Sequence, residues 1–355
     1  MVYYTCTAAG KLRRDFYFHS GTHGIAEDIQ NIKDPELKER ADNLQDLIKS
    51  RWANSTNQKY QQAWKKWTSW CHVHPESTII PAEPFYVSLY VNDMVINSST
   101  PSQLDAAAAG IRWGHTNQGL PSPTDHILVK TVIEGGKRRT CHLTKKRQKE
   151  PFTAQFIKDL FDTYYTSKNS LHDRFLLTCL LCFTGFLRIE ELQHVQIKDI
   201  ELRTDLVRIT IPKAKNDQMR EGHVVMIART STKYCPVTWL TTYLSRTGLI
   251  DEPDAYLICR MAKTREGHKA IGHRPLSYTR IRENFLELIS PLCGGEPTTY
   301  GLHSFRSGGA STASNNGISA RLLGKHGRWK SEGARDRYIK DSEQKRLSVS
   351  KSLDL

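Results

Sequence analysis

No run of apolar residues in this 355-residue chain approaches the ~20 that a membrane-crossing helix needs. The first residues, MVYYTCTAAGKLRRDFYFHSG, lack the long apolar core of a secretory leader, so none is expected. Cysteine is sparse. Eight residues spread along the chain do not form a disulfide framework. Cys179 and Cys182 stand at CxxC spacing, yet they lie inside the apolar run FLLTCLLCFTGF with no second cysteine or histidine pair at zinc spacing. They are expected to be core residues, which points to a reducing compartment, cytosol or nucleus. There are fourteen histidines but no HExxH, so no metal and no other cofactor is expected. Internal repeats and low-complexity tracts are also missing, which excludes solenoids and disordered scaffolds.

What the chain does have is positive charge. Its 51 lysines and arginines outnumber 37 acids, a net charge of +14, while the 38% hydrophobic and 25% charged fractions are ordinary for a globular protein. Such a surplus calls for an anionic partner, nucleic acid ahead of a membrane surface. The length suggests two domains.

Residues 1–40 show weak periodicity and read as a flexible extension. From 41 to 139 the text is helical. Ser55 is the expected N-cap of a helix in which Tyr60, Trp64, Trp67 and Cys71 form one apolar stripe, with Lys59, Lys65 and Lys66 on other faces. Further helices follow in PAEPFYVSLYVNDMVIN, TPSQLDAAAAGIRWGHT and DHILVKTVIEGG. A basic run without an acid then holds Lys137, Arg138, Arg139, Lys145, Lys146, Arg147 and Lys149. It leads through a linker at 140–150 that suits a phosphate backbone or a nuclear import signal. Residues 151–340 read as a second domain, mostly helical with one small sheet from LVRITI and HVVMIA, and 341–355 as a tail.

Four pieces of the second domain stand in order. TGFLRIEEL carries Arg188 and Glu191. PKAKND, between the two strands, carries Lys213 and Lys215. GLHSFRSGGA carries His303 and Arg306, three apart and therefore on one helical face. GRWKSEGARDRYI carries Trp329 nine residues before Tyr338, the latter expected in a helix. H-x-x-R alone is common, and a lone tyrosine, arginine or loop lysine is usually structural or solvated. The ordered set is specific. From about 41 to 345 it resembles the tyrosine recombinases, the phage-integrase type of site-specific DNA recombinase.

The resemblance implies a mainly α fold with a small antiparallel β-sheet. It implies a two-domain DNA clamp: a helical, SAM-like core-binding domain followed by an α/β catalytic domain of the DNA breaking-rejoining type. It also implies metal-independent transesterification through a covalent 3′-phosphotyrosine. Tyr338 is then the nucleophile, and Arg188 and Arg306 hold the non-bridging oxygens of the transition state. Lys215, preferred to Lys213 because AKND falls at the family's lysine position, protonates the leaving oxygen. His303 takes the phenol proton or donates to a phosphate oxygen. Trp329, where the family more often has histidine, offers an indole N–H. Glu191 orients Arg188 or a neighbouring group, the plainer alternative being an ordinary helix carboxylate. His326 reads as structural. "SGGASTAS" suits a helix packed closely on its neighbour.

DNA contacts are expected from Lys59, Lys65, Lys66 and the basic run of 137–149. The resemblance implies double-stranded DNA as the partner, dimers on DNA and a tetramer during exchange, with Leu347, Val349 and Leu353 of the tail packing on a neighbouring protomer; no membrane or small-molecule substrate is expected. The texture of the chain is nearer to eukaryotic mobile-element recombinases, which places it in the nucleus; in a prokaryote it belongs to the cytoplasm or nucleoid. The rivals are a type IB topoisomerase-like nicking-closing enzyme, a domesticated DNA binder that no longer cuts, and a basic helical scaffold without a site.

Overall fold

The computed structural model describes residues 5–6, 12–13, 25–143, 148–167, 169–212, 222–265 and 267–353. The chain divides into two units, Met1–Arg147 and Gln148–Leu355.

The first unit opens with a short antiparallel pair, β1 (Thr5–Cys6) and β2 (Leu12–Arg13), and continues as helices α1 (Ile25–Gln30), α2 (Pro35–Ser50), α3 (Asn54–Val73), α4 (Pro84–Ile96), α5 (Pro101–Thr116) and α6 (Ile127–Thr140). Helical structure therefore begins before residue 41. Asp34 is the reason: its carboxylate accepts from the Glu36 N–H at 2.9 Å ahead of Pro35, a good first helical residue. Helix α3 starts one residue ahead of the expected cap, with Ala53 and not Ser55 in the N-cap position. The core is the predicted stripe. Trp67 is fully buried and Cys71 nearly so, packed with Val87, Val91, Leu104, Ile111, Val129 and Ile133. Helices α3 and α5 meet closely because Gly110 leaves no side chain between them; a Cβ there would lie 2.5 Å from that of Ala63.

The second unit runs through α7 (Ala154–Tyr164), α8 (Ser170–Thr184), α9 (Ile189–Leu192), β3 (Ile200–Leu202), β4 (Leu206–Ile211), β5 (His223–Ala228), α10 (Pro236–Thr247), β6 (Cys259–Thr264), β7 (Gly267–Pro275), α11 (Tyr278–Ile289), α12 (His303–Asn315), α13 (Ala320–Gly327), α14 (Glu332–Asp336) and α15 (Glu343–Lys351). The fold is mainly helical. Strands β3, β4 and β5 form an antiparallel sheet in that order, with Val207 opposite Ile227, Ile209 opposite Val225 and Ile211 opposite His223. Val207, Ile209 and Ile211 alternate inward, as the period of two requires.

Helix α8 is buried over most of its length because the core wraps it; Cys179 and Cys182 are both inside it. The second sheet, β6–β7, was not expected. CRMAKT and GHKAIGHRP are polar and basic, with no apolar alternation to announce a strand, and are held by their mutual ladder. Among the described residues no helix is long and apolar enough to cross a membrane.

Candidate active site

Helix α8 ends at Gly185, whose N–H returns to Leu181 O at 2.9 Å. The chain turns sharply at Phe186, which has a left-handed φ of 46°. Arg188 then caps α9. Its backbone N–H donates to Glu191 Oε2 at 2.9 Å and its Nη1 to Glu191 Oε1. Glu191 thus holds Arg188 at both ends, as the sequence suggests. The carboxylate is 1% exposed. Burial pushes its pKa up, but Arg328, the Arg188 N–H and the Arg188 and Arg306 side chains outweigh burial and hold it below the ordinary carboxylate value.

Arg306 comes from α12, one turn into the helix. It reaches the same place because α12 has glycine where it crosses its neighbours. A Cβ on Gly308 would lie 2.1 Å from Phe152 O, and one on Gly309 would lie 1.9 Å from Phe183 O. Arg306 is fully buried. Nη1 donates to Phe186 O and Nη2 to Gly327 O, and Glu191 Oε2 lies 3.7 Å from Nη1. Lost hydration first, then the Arg188 and Arg328 charges, draw the Arg306 pKa downward against the pull of Glu191. A guanidinium remains cationic at neutral pH even so.

The Trp329 ring centroid lies 4.7 Å from Arg306 Cζ, the Tyr338 centroid 5.2 Å, and the two rings are 5.5 Å apart. His303 lies at the first turn of α12, its ring centroid 6.4 Å from that of Tyr338. It keeps an exposed edge, yet lost hydration, followed by repulsion from Arg306 and Arg188, lowers its pKa below the ordinary histidine value. The imidazole is neutral at pH 7 and able to accept a proton. Tyr338 lies in the turn after α14 rather than in a helix, because α14 stops at Asp336. Two α12 hydroxyls grip its carbonyl instead: Ser307 Oγ at 2.6 Å and Ser311 Oγ at 3.3 Å.

The structure thus brings Arg188, Glu191, His303, Arg306, Trp329 and Tyr338 together. Lys213 and Lys215 fall between β4 and β5, outside the described residues, as do Lys145, Lys146 and Arg147. Lys59, Lys65 and Lys66 are exposed on α3. Lys137, Arg138 and Arg139 form the last turn of α6, where cations face the helix C-terminus, and Lys137 pairs with Asp105. Lys149 is exposed and donates to Thr298 O. His326 is structural, with Nε2 2.8 Å from Thr184 O and its ring edge-on to Phe186.

Sequence reasoning missed Arg328, which donates to Glu191 Oε2 at 2.8 Å. Its neighbour in sequence, Trp329, was picked out by spacing; nothing in "GRW" marks the arginine as buried. Three guanidiniums now surround one carboxylate, leaving two positive charges over. Buried Arg306 Nε, Arg328 Nε and Trp329 Nε1 have no acceptor. Donors without acceptors beside uncompensated cations make a receptor for an oxyanion.

Residues 151–345 match the model of the Phage integrase family. Among curated proteins, the chain is 26% identical over 304 residues to the integrase/recombinase xerD homolog of Selenomonas ruminantium, covering 82% of this chain and 83% of that one. It is 24% identical over 316 residues to recombinase cre of Escherichia phage P1, covering 84% and 88%. Among solved structures, the XerH site-specific recombinase in its post-cleavage complex with a palindromic difH substrate superposes with a TM-score of 0.55 at 13% identity, over 80% of this chain and 76% of that one.

Proposed function

The chain belongs to the phage integrase family, and from that premise we propose that it is a site-specific recombinase that cuts and rejoins double-stranded DNA through a phosphotyrosine. The observation that carries the reading is the buried cluster of Arg188, Arg306 and Arg328 around the single carboxylate of Glu191, with Tyr338 stacked on Arg306. Arg188 and Arg306 stabilise the charge that develops on the non-bridging oxygens. Tyr338 Oη attacks phosphorus, the P–O5′ bond breaks, and the 3′ end stays on the tyrosine. The phenol proton passes to the neutral His303, and the leaving 5′ oxygen takes a proton from Lys215. Trp329 gives its indole N–H to the phosphate. Attack by a 5′ hydroxyl of a second strand reverses every bond and needs no external energy.

The cationic residues Lys59, Lys65, Lys66, Lys137, Arg138, Arg139, Lys145, Lys146, Arg147 and Lys149 bind the backbone. The protein assembles on DNA as a dimer and exchanges strands as a tetramer. The apolar side chains Leu347, Val349 and Leu353, exposed on and beyond α15, support a seat on a neighbouring protomer. A eukaryotic source and a nuclear location fit the basic run.

The test is covalent trapping on a library of 5′-bridging phosphorothiolate duplexes. A wild-type adduct on a denaturing gel, lost in Tyr338→Phe, supports the reading. DNA binding without any adduct favours a binder that does not cut. Plasmid relaxation without exchange favours a nicking-closing enzyme.

A further inference from the structure

We propose that Arg328 is a positioning residue: it occupies Glu191 and the Gly185–Phe186 turn so that Arg306 stays un-neutralised and aimed at the phosphate. The inference rests on the recombinase reading above and gives Arg328, which that reading counts in the cluster but assigns no step, a role of its own.

Arg328 closes α13 in a left-handed conformation, φ 57°, which a glycine adopts freely and an arginine does not. The side chain is what the strained backbone supports. Its guanidinium is only 4% exposed, and both Nη atoms are committed to protein acceptors. Nη1 donates to His326 O at 2.9 Å and to Gly185 O at 3.3 Å, and Nη2 donates to Phe186 O at 3.0 Å and to Glu191 Oε2 at 2.8 Å. One planar fork therefore ties the end of α13, which leads into Trp329, to the turn that leads into Arg188.

The charge argument is sharper. Glu191 Oε2 stands 2.8 Å from Arg328 and 3.7 Å from Arg306. Arg328 holds the nearer place. Were it absent, Glu191 would keep Arg188 on Oε1, but Oε2 would lose its side-chain donor, and Arg306, 3.7 Å away, would be the next cation able to take that place. Arg306 would then close on Glu191, release Phe186 O, and present a neutralised pair where the phosphate needs a cation. Arg328 acts on the reaction through Glu191 and Arg306, without touching DNA.

The experiment compares wild type, Arg328→Gly and Arg328→Lys in full-length protein on a randomised 5′-bridging phosphorothiolate duplex library. Adduct formation and DNA binding are measured separately, without and with added guanidinium chloride at non-denaturing concentration. Arg328→Gly relieves the backbone and is expected to fold. Its adduct rate at saturating DNA should fall by about 10–100-fold, the usual effect of losing an outer-shell partner, with DNA affinity unchanged. Guanidinium ion should restore part of the rate, and Arg328→Lys should lie between the two.

Equal rates for Arg328→Gly and wild type overturn the proposal, as does a loss of DNA affinity that accounts for the whole loss of rate. If Arg328→Gly is unfolded, an Arg328→Lys variant with wild-type melting and wild-type rate overturns it too. A wild type that forms no adduct on any duplex refutes the recombinase reading itself, and a wild-type adduct with an insensitive variant refutes only the role of Arg328.

Discussion

The Tyr338 ring centroid lies 5.2 Å from the guanidinium carbon of Arg306, so the candidate nucleophile rests on the cation that is to hold its target. The ring and the hydroxyl have separable jobs. Tyr338→Phe keeps the packing and the cation–π contact and should leave stability within about 0.5 kcal/mol of wild type. It should abolish the covalent adduct while DNA binding persists. Chemical denaturation and a denaturing gel check the two halves.

Arg306→Ala should lower adduct formation by about 10²–10³-fold, the scale of losing a preorganised oxyanion donor. It should also destabilise the fold by roughly 3 kcal/mol, because the carbonyls of Phe186 and Gly327 lose a buried donor. A variant that is as stable as wild type, measured by denaturant midpoint, would show that these bonds do not organise the site.

His303 should set a pH limit on cleavage. Its pKa is lowered by lost hydration and by Arg306 and Arg188, so the reactive neutral ring persists below the ordinary histidine range near ~6.5. As pH falls through the lowered value, the ring protonates and the adduct rate drops. His303→Gln should remove this limb from the rate profile and cut the rate by about 10²-fold or more.

His115 makes the first unit sensitive to acid. Nε2 accepts from Ala82 N at 2.9 Å, which places the ring proton on Nδ1, 2.8 Å from Ile111 O. Burial lowers its pKa, so the unfolded chain binds the proton more readily than the folded one. Stability is therefore lost as pH falls below the ordinary histidine value. Hydrogen exchange of α4 and α5, corrected for the intrinsic pH dependence of amide exchange, should show more frequent opening as pH falls below about 6.5, and less so in His115→Gln.

Gly309 and Gly324 are both helical glycines and should respond in opposite directions. Gly309→Ala drives a Cβ to 1.9 Å from Phe183 O, backbone that cannot swing aside, and should cost about 1–3 kcal/mol together with activity. Gly324 has nothing within 4 Å, so Gly324→Ala should stabilise α13 by about 0.5–1 kcal/mol. Thermal melting of the two variants decides.

The stripe of Trp67 and Cys71, the strands LVRITI and HVVMIA, and the approach at Gly308 and Gly309 could all be read from the chain, because each is written in a local period or in a side chain's absence. The first turns of helix α2, before residue 41, and the β6–β7 hairpin could not. The first depends on one capping carboxylate, Asp34, and the second on a ladder between two polar segments. The candidate site was legible as an ordered set of residue types because phosphoryl chemistry admits few alternatives to guanidinium, imidazole and phenol.

Which charge faces which was not legible. Sequence by itself determined the helical class, the basic surplus and the identity of Arg188, His303, Arg306, Trp329 and Tyr338 as a set. Only the tertiary structure decided that Glu191 is shared by three arginines, that Arg328 is one of them, and that Tyr338 sits in a turn held by Ser307 and Ser311. The physical reason is that periodicity is a property of neighbours along the chain, whereas a buried carboxylate chooses its partners from whatever cations the packing of distant helices brings within about 4 Å.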